Sequence, residues 1–231
     1  MAIVRIPDFN FEVPEGGRTL HFEVSGFGVT TGGRRIVVDP WLAFDTKRSE
    51  PDGEQRWAAI GKELTAADLD PAAVDTVVFT HLDGVGWALG PDDLTPGFPN
   101  ARHLVTQTEL DEEAAGRRQG SHGVQRLVEL GLVDALEPGE IAPGVRVESA
   151  LGHTNGAVVV HVDDADDDGP AVMIGHLFLH PAQLVAIERA ELEPDPEASI
   201  KVRREVLADA KARNAKLYGD LWASPGWAYA P

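Results

Sequence analysis

An apolar run, Val77-Val78-Phe79-Thr80, ends on His81-Leu82-Asp83 and then turns through Gly84 and Gly86. Unbroken β-branched and aromatic residues read as a strand buried on both faces, and such strands belong to layered α/β folds that carry their chemistry at strand ends. A histidine and a nearby carboxylate at such an end can converge on a cation or on a substrate proton. The pattern recurs downstream. Val145 to Ala150 runs into Gly152-His153-Thr154, and the short apolar run Ala171 to Ile174 ends on Gly175-His176.

The remaining segments fill in a mixed α/β chain. Thr19 to Val24 alternates apolar and polar residues, and Thr31-Gly32-Gly33 leads into Ile36-Val37-Val38, which predicts a hairpin whose second strand delivers Asp39, Pro40 and Trp41. Trp57, Ile60 and Leu64 fall at helical spacing within Gln55 to Asp68. Ala101 to Thr106 reads as a strand, and Thr108 to Leu130 as two helical pieces broken by Gly116, Gly120 and Gly123. Ala157 to Val162 is a β-branched strand followed by five aspartates within Asp163 to Asp168, which lack the spaced ligands of a calcium loop and read as a solvated hairpin tip. Pro196 to Leu217 is the clearest helix, with Ile200, Leu207, Ala210 and Asn214 near one face and Arg203 and Arg204 beside it. A single domain over residues 1–231 is expected.

Composition narrows the partners. A net charge of −18, from 38 acidic and 20 basic residues, repels phosphate backbones and anionic membranes, so nucleic acid is excluded as a partner and a small-molecule substrate is expected. The chain contains no cysteine, which removes disulfides, thiolate ligands and a cysteine nucleophile. No run of apolar residues is long enough to span a bilayer and residues 1–10 carry no secretory pattern, so a cytoplasmic location is expected. Neither a Gly-x-Ser-x-Gly elbow nor a P-loop is present.

Taken in order, these motifs resemble the metallo-β-lactamase superfamily, and in particular its N-acyl-homoserine-lactonase-like hydrolases. The resemblance rests on Thr80-His81-Leu82-Asp83-Gly84-Val85-Gly86-Trp87, on Phe98-Pro99-Asn100-Ala101, and on Gly152-His153-Thr154 with Gly156. It continues through Gly175-x-Leu177-x-x-His180-Pro181-x-Gln183 and Gly219-x-x-Trp222-x-x-Pro225-Gly226, and so spans most of the chain. It implies an αββα four-layer sandwich with an active site at one edge, where Asp39 closes an early strand, and a homodimer as one assembly. On the same grounds Asp39, Trp41, Trp87, Leu179, His180, Leu221 and Trp222 are candidates for the substrate pocket.

The departures from the family pattern define the chemistry. The first loop, which in the family reads Thr-His-x-His-x-Asp-His, retains only His81 and Asp83; His153 matches the next ligand; His176 stands where the family has a bridging aspartate; Leu221 stands at the last histidine. A dinuclear set cannot be assembled from these residues, because a neutral imidazole does not bridge two dications as a carboxylate does, and leucine and glycine donate nothing. Two enzymatic readings follow. In one, no cofactor is bound and His81, Asp83, His153 and His176 perform acid–base chemistry on an acyl, ester or lactone-like molecule, giving cyclisation, rearrangement or elimination. In the alternative, the same four residues hold one Zn or Fe ion and the chain is a mononuclear lactonase-like or esterase-like hydrolase. A third reading is a pseudoenzyme whose cavity only binds a ligand or partner.

Overall fold

The structure is a computed structural model, and it describes residues 1–15, 17–40, 58, 61–62, 64–82, 89, 95–117, 123–165, 169–190 and 193–231. Its strands are β1 (Ala2–Glu15), β2 (Arg18–Thr31), β3 (Arg34–Val38), β4 (Thr76–Val78), β5 (Arg102–Val105) and β6 (Val133–Ala135), followed by β7 (Gly139–Ala142), β8 (Val145–Ser149), β9 (Val158–Ala165), β10 (Gly169–Met173), β11 (Lys216–Tyr218) and β12 (Trp227–Tyr229). The helices are α1 (Gln107–Ala114), α2 (Val124–Glu129) and α3 (Pro196–Arg213). Strands β1 to β6 form one sheet in sequence order, and the second sheet runs β12-β11-β10-β9-β8-β7.

Alternation along the strands assigns each sheet two buried faces. Val38 and Val78 of the first sheet meet Val145, Val158, Val160 and Met173 of the second in the core between the sheets. Their neighbours Val37, Val77 and Phe79 point the other way, onto Leu64, Val124 and Leu127. Val159, Val172 and Leu217 pack outward onto Val206 and Ala210 of α3. Period-two alternation with apolar residues on both faces demands helices outside both sheets, and the result is the expected αββα sandwich.

Several boundaries differ from the sequence expectations. The predicted hairpin is present, with Gly32 and Gly33 both at positive φ in the two-residue turn between β2 and β3. β1 goes beyond the sequence expectations; it contains Pro7 and Pro14 and is the edge strand, where proline is tolerated. α3 stops at Arg213, with Asn214 as a left-handed cap (φ 52°, ψ 39°), so Lys216 and Leu217 belong to β11 rather than to the helix. The buried face of α3 is Ser199, Arg203, Val206 and Ala210, which moves Arg203 from beside the apolar stripe to its centre. β9 and β10 pair antiparallel, and Asp163 and Asp164 are exposed within β9, whereas Asp166, Asp167 and Asp168 of the expected hairpin tip lie outside the described residues. Trp57 and Ile60 of the expected helix lie outside the described residues, whereas Leu64 is buried. Among the described residues no helix is long and apolar enough to cross a membrane.

Candidate metal centre

Strand polarity collects the site. β3 and β4 run parallel and end on Asp39 and on Thr80-His81. β10 and β11 also run parallel and lead to His176 and Asp220, while β8 leads to His153. The two sheets are tied at this edge by Val158 N–H donating to the Thr80 carbonyl (2.9 Å) and Ser25 N–H donating to the Asp220 carbonyl (2.7 Å). C-terminal ends of parallel strands are where open α/β sheets place ligands.

His81, His153 and His176 converge at this edge. His81 Nε2 lies 2.8 Å from His176 Nδ1, which lies 3.2 Å from His153 Nε2. The three donor atoms all lie within 4.8 Å of one another. With Thr80, Ala150 and Ile174 they line a cavity of about 10 Å³, room for roughly one water-sized sphere. Tetrahedral zinc, with Zn–N near 2.0–2.1 Å, separates its ligand nitrogens by roughly 3.3–3.4 Å. The 3.2 Å pair is close to that spacing, and the 2.8 Å pair would have to open by about half an ångström to match it.

The outward nitrogens determine what faces inward. Thr80 donates its backbone N–H to Asp39 Oδ1 and its hydroxyl to Asp39 Oδ2, both at 2.7 Å. With its single proton committed, Thr80 Oγ1 accepts from His81 Nδ1–H at 2.9 Å. His153 Nδ1 donates to Glu193 Oε2 at 2.9 Å. His176 Nε2 stands 3.4 Å from Asp220 Oδ2. Assigned from this network, His81 and His153 carry their proton on Nδ1 and turn the Nε2 lone pair toward the common centre, where His176 presents Nδ1. An oxygen acceptor hydrogen-bonded behind the ring, as at His81 and His153, is the arrangement that fixes metal-ligating histidines. Burial, together with the neighbouring His153, holds the His176 imidazole well below its ordinary pKa, which keeps it the neutral donor a metal requires.

Charge supports the same reading. Asp39 and Asp220 are each 1 % exposed. Burial pushes Asp39 up to about 7 against the lowering effect of its Thr80 hydrogen bonds, and burial plus the proximity of Asp39 pushes Asp220 well above the usual carboxylate range. Both Asp220 side-chain oxygens are buried with no hydrogen-bond partner among the described residues. A dication held by three neutral imidazoles would offset two nearby carboxylate charges, so the donor set and its surroundings fit one divalent ion.

Close packing leaves little freedom in the loops that present these rings. Gly175 has φ +48°, and a Cβ there would lie 2.3 Å from Thr80 Oγ1. Gly152 has φ +134°, with a hypothetical Cβ 2.5 Å from the Ser199 backbone. Glu109 of α1 joins the first two loops by accepting from Leu82 N–H (2.9 Å) and Gly156 N–H (3.0 Å).

The other expected site residues divide into two groups. Asp83, Trp41 and Trp87 lie outside the described residues. Leu221 and Leu179 pack with Phe22 and Val24; Trp222 is buried against the α3 side of the second sheet and donates from Nε1 to the Phe178 carbonyl at 2.8 Å. His180 caps a 3-10 turn over Pro181–Val185, where its Nδ1 accepts from Ala182 N–H at 3.1 Å. None of these four lines the cavity between the histidines. Asp220, Glu193 and Arg203 were not anticipated. Asp220 neighbours Leu221, the position matched to the family's last ligand, and an arginine amid the apolar face of a helix was the available signal for Arg203.

No protein-family model matches the chain, and neither does any curated protein sequence. Solved structures do: the fold is that of the metallo-β-lactamase superfamily hydrolases. AidC, a dizinc quorum-quenching lactonase in complex with a hexanoyl-homoserine product, superposes with TM-score 0.76 at 11% identity, covering 98% of this chain and 89% of its own. A probable metal-dependent hydrolase from Staphylococcus aureus gives 0.74 at 16% identity, covering 96% and 89%. The hydrolase AbOPH of the beta lactamase superfamily gives 0.70 at 17% identity, covering 98% and 89%.

Proposed function

We propose that this chain is a mononuclear metal-dependent hydrolase of ester- or lactone-like substrates, with His81, His153 and His176 as its metal ligands. One observation carries the reading: three imidazoles converge through nitrogens 2.8 and 3.2 Å apart, while the outer nitrogens of His81 and His153 are hydrogen-bonded to oxygens and that of His176 lies 3.4 Å from Asp220 Oδ2. The fold it shares with lactonases and other metal-dependent hydrolases supports the reaction class. A divalent ion in that position supplies Lewis acidity toward a carbonyl and lowers the pKa of water enough for attack at neutral pH. The chain's own residues do the positioning. Thr80 relays the Asp39 carboxylate to His81, Glu193 orients His153, and Asp220 faces His176.

A second reading has its own observation. The 2.8 Å separation of His81 Nε2 and His176 Nδ1 is also a hydrogen-bond distance, and a proton shared there would make the pair a metal-free acid–base couple acting with Asp83. Hydrolysis of γ-lactones and p-nitrophenyl esters, assayed before and after chelation and again after zinc is restored, separates the two. The metal reading predicts loss of turnover and its recovery with zinc, with His153→Ala and His176→Ala inactive under both conditions. Turnover indifferent to chelator but abolished by those substitutions supports the metal-free couple instead, and no turnover at all supports a binding protein.

A further inference from the structure

Behind His153 lies a buried charge pair, Glu193 and Arg203. Glu193 is 6 % exposed and precedes α3; Arg203, with no exposed surface, lies in the first half of that helix on its buried face. Glu193 Oε2 accepts from His153 Nδ1 at 2.9 Å, and Glu193 Oε1 accepts from Arg203 Nη2 at 2.5 Å. Arg203 is itself held on several sides. It donates from Nε to the Leu177 carbonyl (2.8 Å), from Nη1 to the Arg189 carbonyl (2.8 Å) and the Ile187 carbonyl (3.3 Å), and its guanidinium lies 5.3 Å from the Phe178 ring centroid.

Buried ions are retained against a desolvation cost of several kcal/mol each, and a fully hydrogen-bonded pair that only filled space is replaceable by apolar side chains. This pair touches a functional ring. The fork of Arg203 fixes one carboxylate oxygen of Glu193 and offsets its charge, leaving the second oxygen as a pure acceptor aimed at His153. We propose that Glu193 and Arg203 are the positioning pair for His153: they set its Nδ1–H tautomer and thereby hold its Nε2 lone pair toward the metal. The proposal rests on the metal reading of the site for its consequence, although the tautomer is a property of the metal-free protein.

Glu193→Gln is the discriminating change because it preserves shape and reverses one hydrogen bond. With the amide oxygen taken by Arg203, the amide nitrogen must donate to His153 Nδ1, which drives the ring proton to Nε2 and points it into the metal position. Long-range ¹⁵N–¹H NMR of the metal-free protein should show His153 protonated at Nδ1 in the wild type and at Nε2 in Glu193→Gln. Zinc affinity measured by competition with a chelating dye should fall by about 10- to 100-fold in Glu193→Gln, with thermal unfolding little changed. Arg203→Lys, which keeps the charge and loses the fork, should fall by less and retain the Nδ1–H tautomer. A Glu193→Gln protein with the wild-type tautomer and wild-type zinc affinity would overturn the proposal. Wild-type protein that shows the expected tautomer but takes up no zinc would leave the positioning pair standing and overturn the metal reading.

Discussion

Gly175 shows how little tolerance the site has at the level of single residues. It combines φ +48° with a hypothetical Cβ 2.3 Å from Thr80 Oγ1 and 3.4 Å from His81 Nδ1, so any side chain there strains the backbone and displaces the hydroxyl that orients His81. Gly175→Ala should therefore cost about 1–3 kcal/mol in urea unfolding and weaken zinc binding as well. Stability equal to the wild type would show that the loop relaxes without cost. His81, His153 and His176 were legible from sequence because each follows a β-branched run and adjoins or closely follows a glycine or threonine that shapes its turn. Asp220 and Glu193 were not, because a carboxylate gains meaning only when the fold brings it to a ring 40 or more residues away. Asp39 was legible as a strand-end residue, but its bonds to Thr80 depend on β3 and β4 lying side by side.

At the level of elements, the strands were readable to the extent that they were buried. β4, β9 and β10 announce themselves by apolar runs, whereas β1 is an edge strand with two prolines and β12 is three residues long. α3 starts where expected but is rotated: the expected face of Ile200, Leu207, Ala210 and Asn214 placed Arg203 beside the apolar stripe, whereas the buried face is Ser199, Arg203, Val206 and Ala210. β5 carries a separate consequence. His103 is fully buried on this strand, stacked 6.2 Å from Phe79, and neither ring nitrogen has a hydrogen-bond partner among the described residues. Burial lowers its pKa to about 4 from 6.5. The folded state thus holds His103 neutral, while the unfolded chain takes up a proton below pH 6.5. Its contribution is fully present above pH 6.5 and is lost as pH falls toward 4, by roughly 3 kcal/mol. His103→Leu should flatten the decline in urea stability between pH 7 and pH 4.5 relative to wild type; parallel declines in the two proteins would contradict this.

At the level of the whole molecule, two six-stranded sheets pack face to face and donate one edge to a shared centre. The first sheet brings Asp39, Thr80 and His81; the second brings His153, His176 and Asp220, and α3 reinforces His153 from behind through Arg203. The four-layer architecture was legible through the family resemblance of the strand-end motifs. The number of metals was not, because the donor inventory along the chain does not reveal which nitrogen of each ring faces inward. The proposed function has a single ion beside two buried carboxylates, on a fold whose solved neighbours include a dizinc enzyme. Metal content by inductively coupled plasma mass spectrometry, on protein purified without a histidine tag and dialysed against zinc, tests this most directly. The account predicts about one equivalent of zinc per chain, lost in His153→Ala. Two equivalents, or none in the folded wild-type protein, would contradict it.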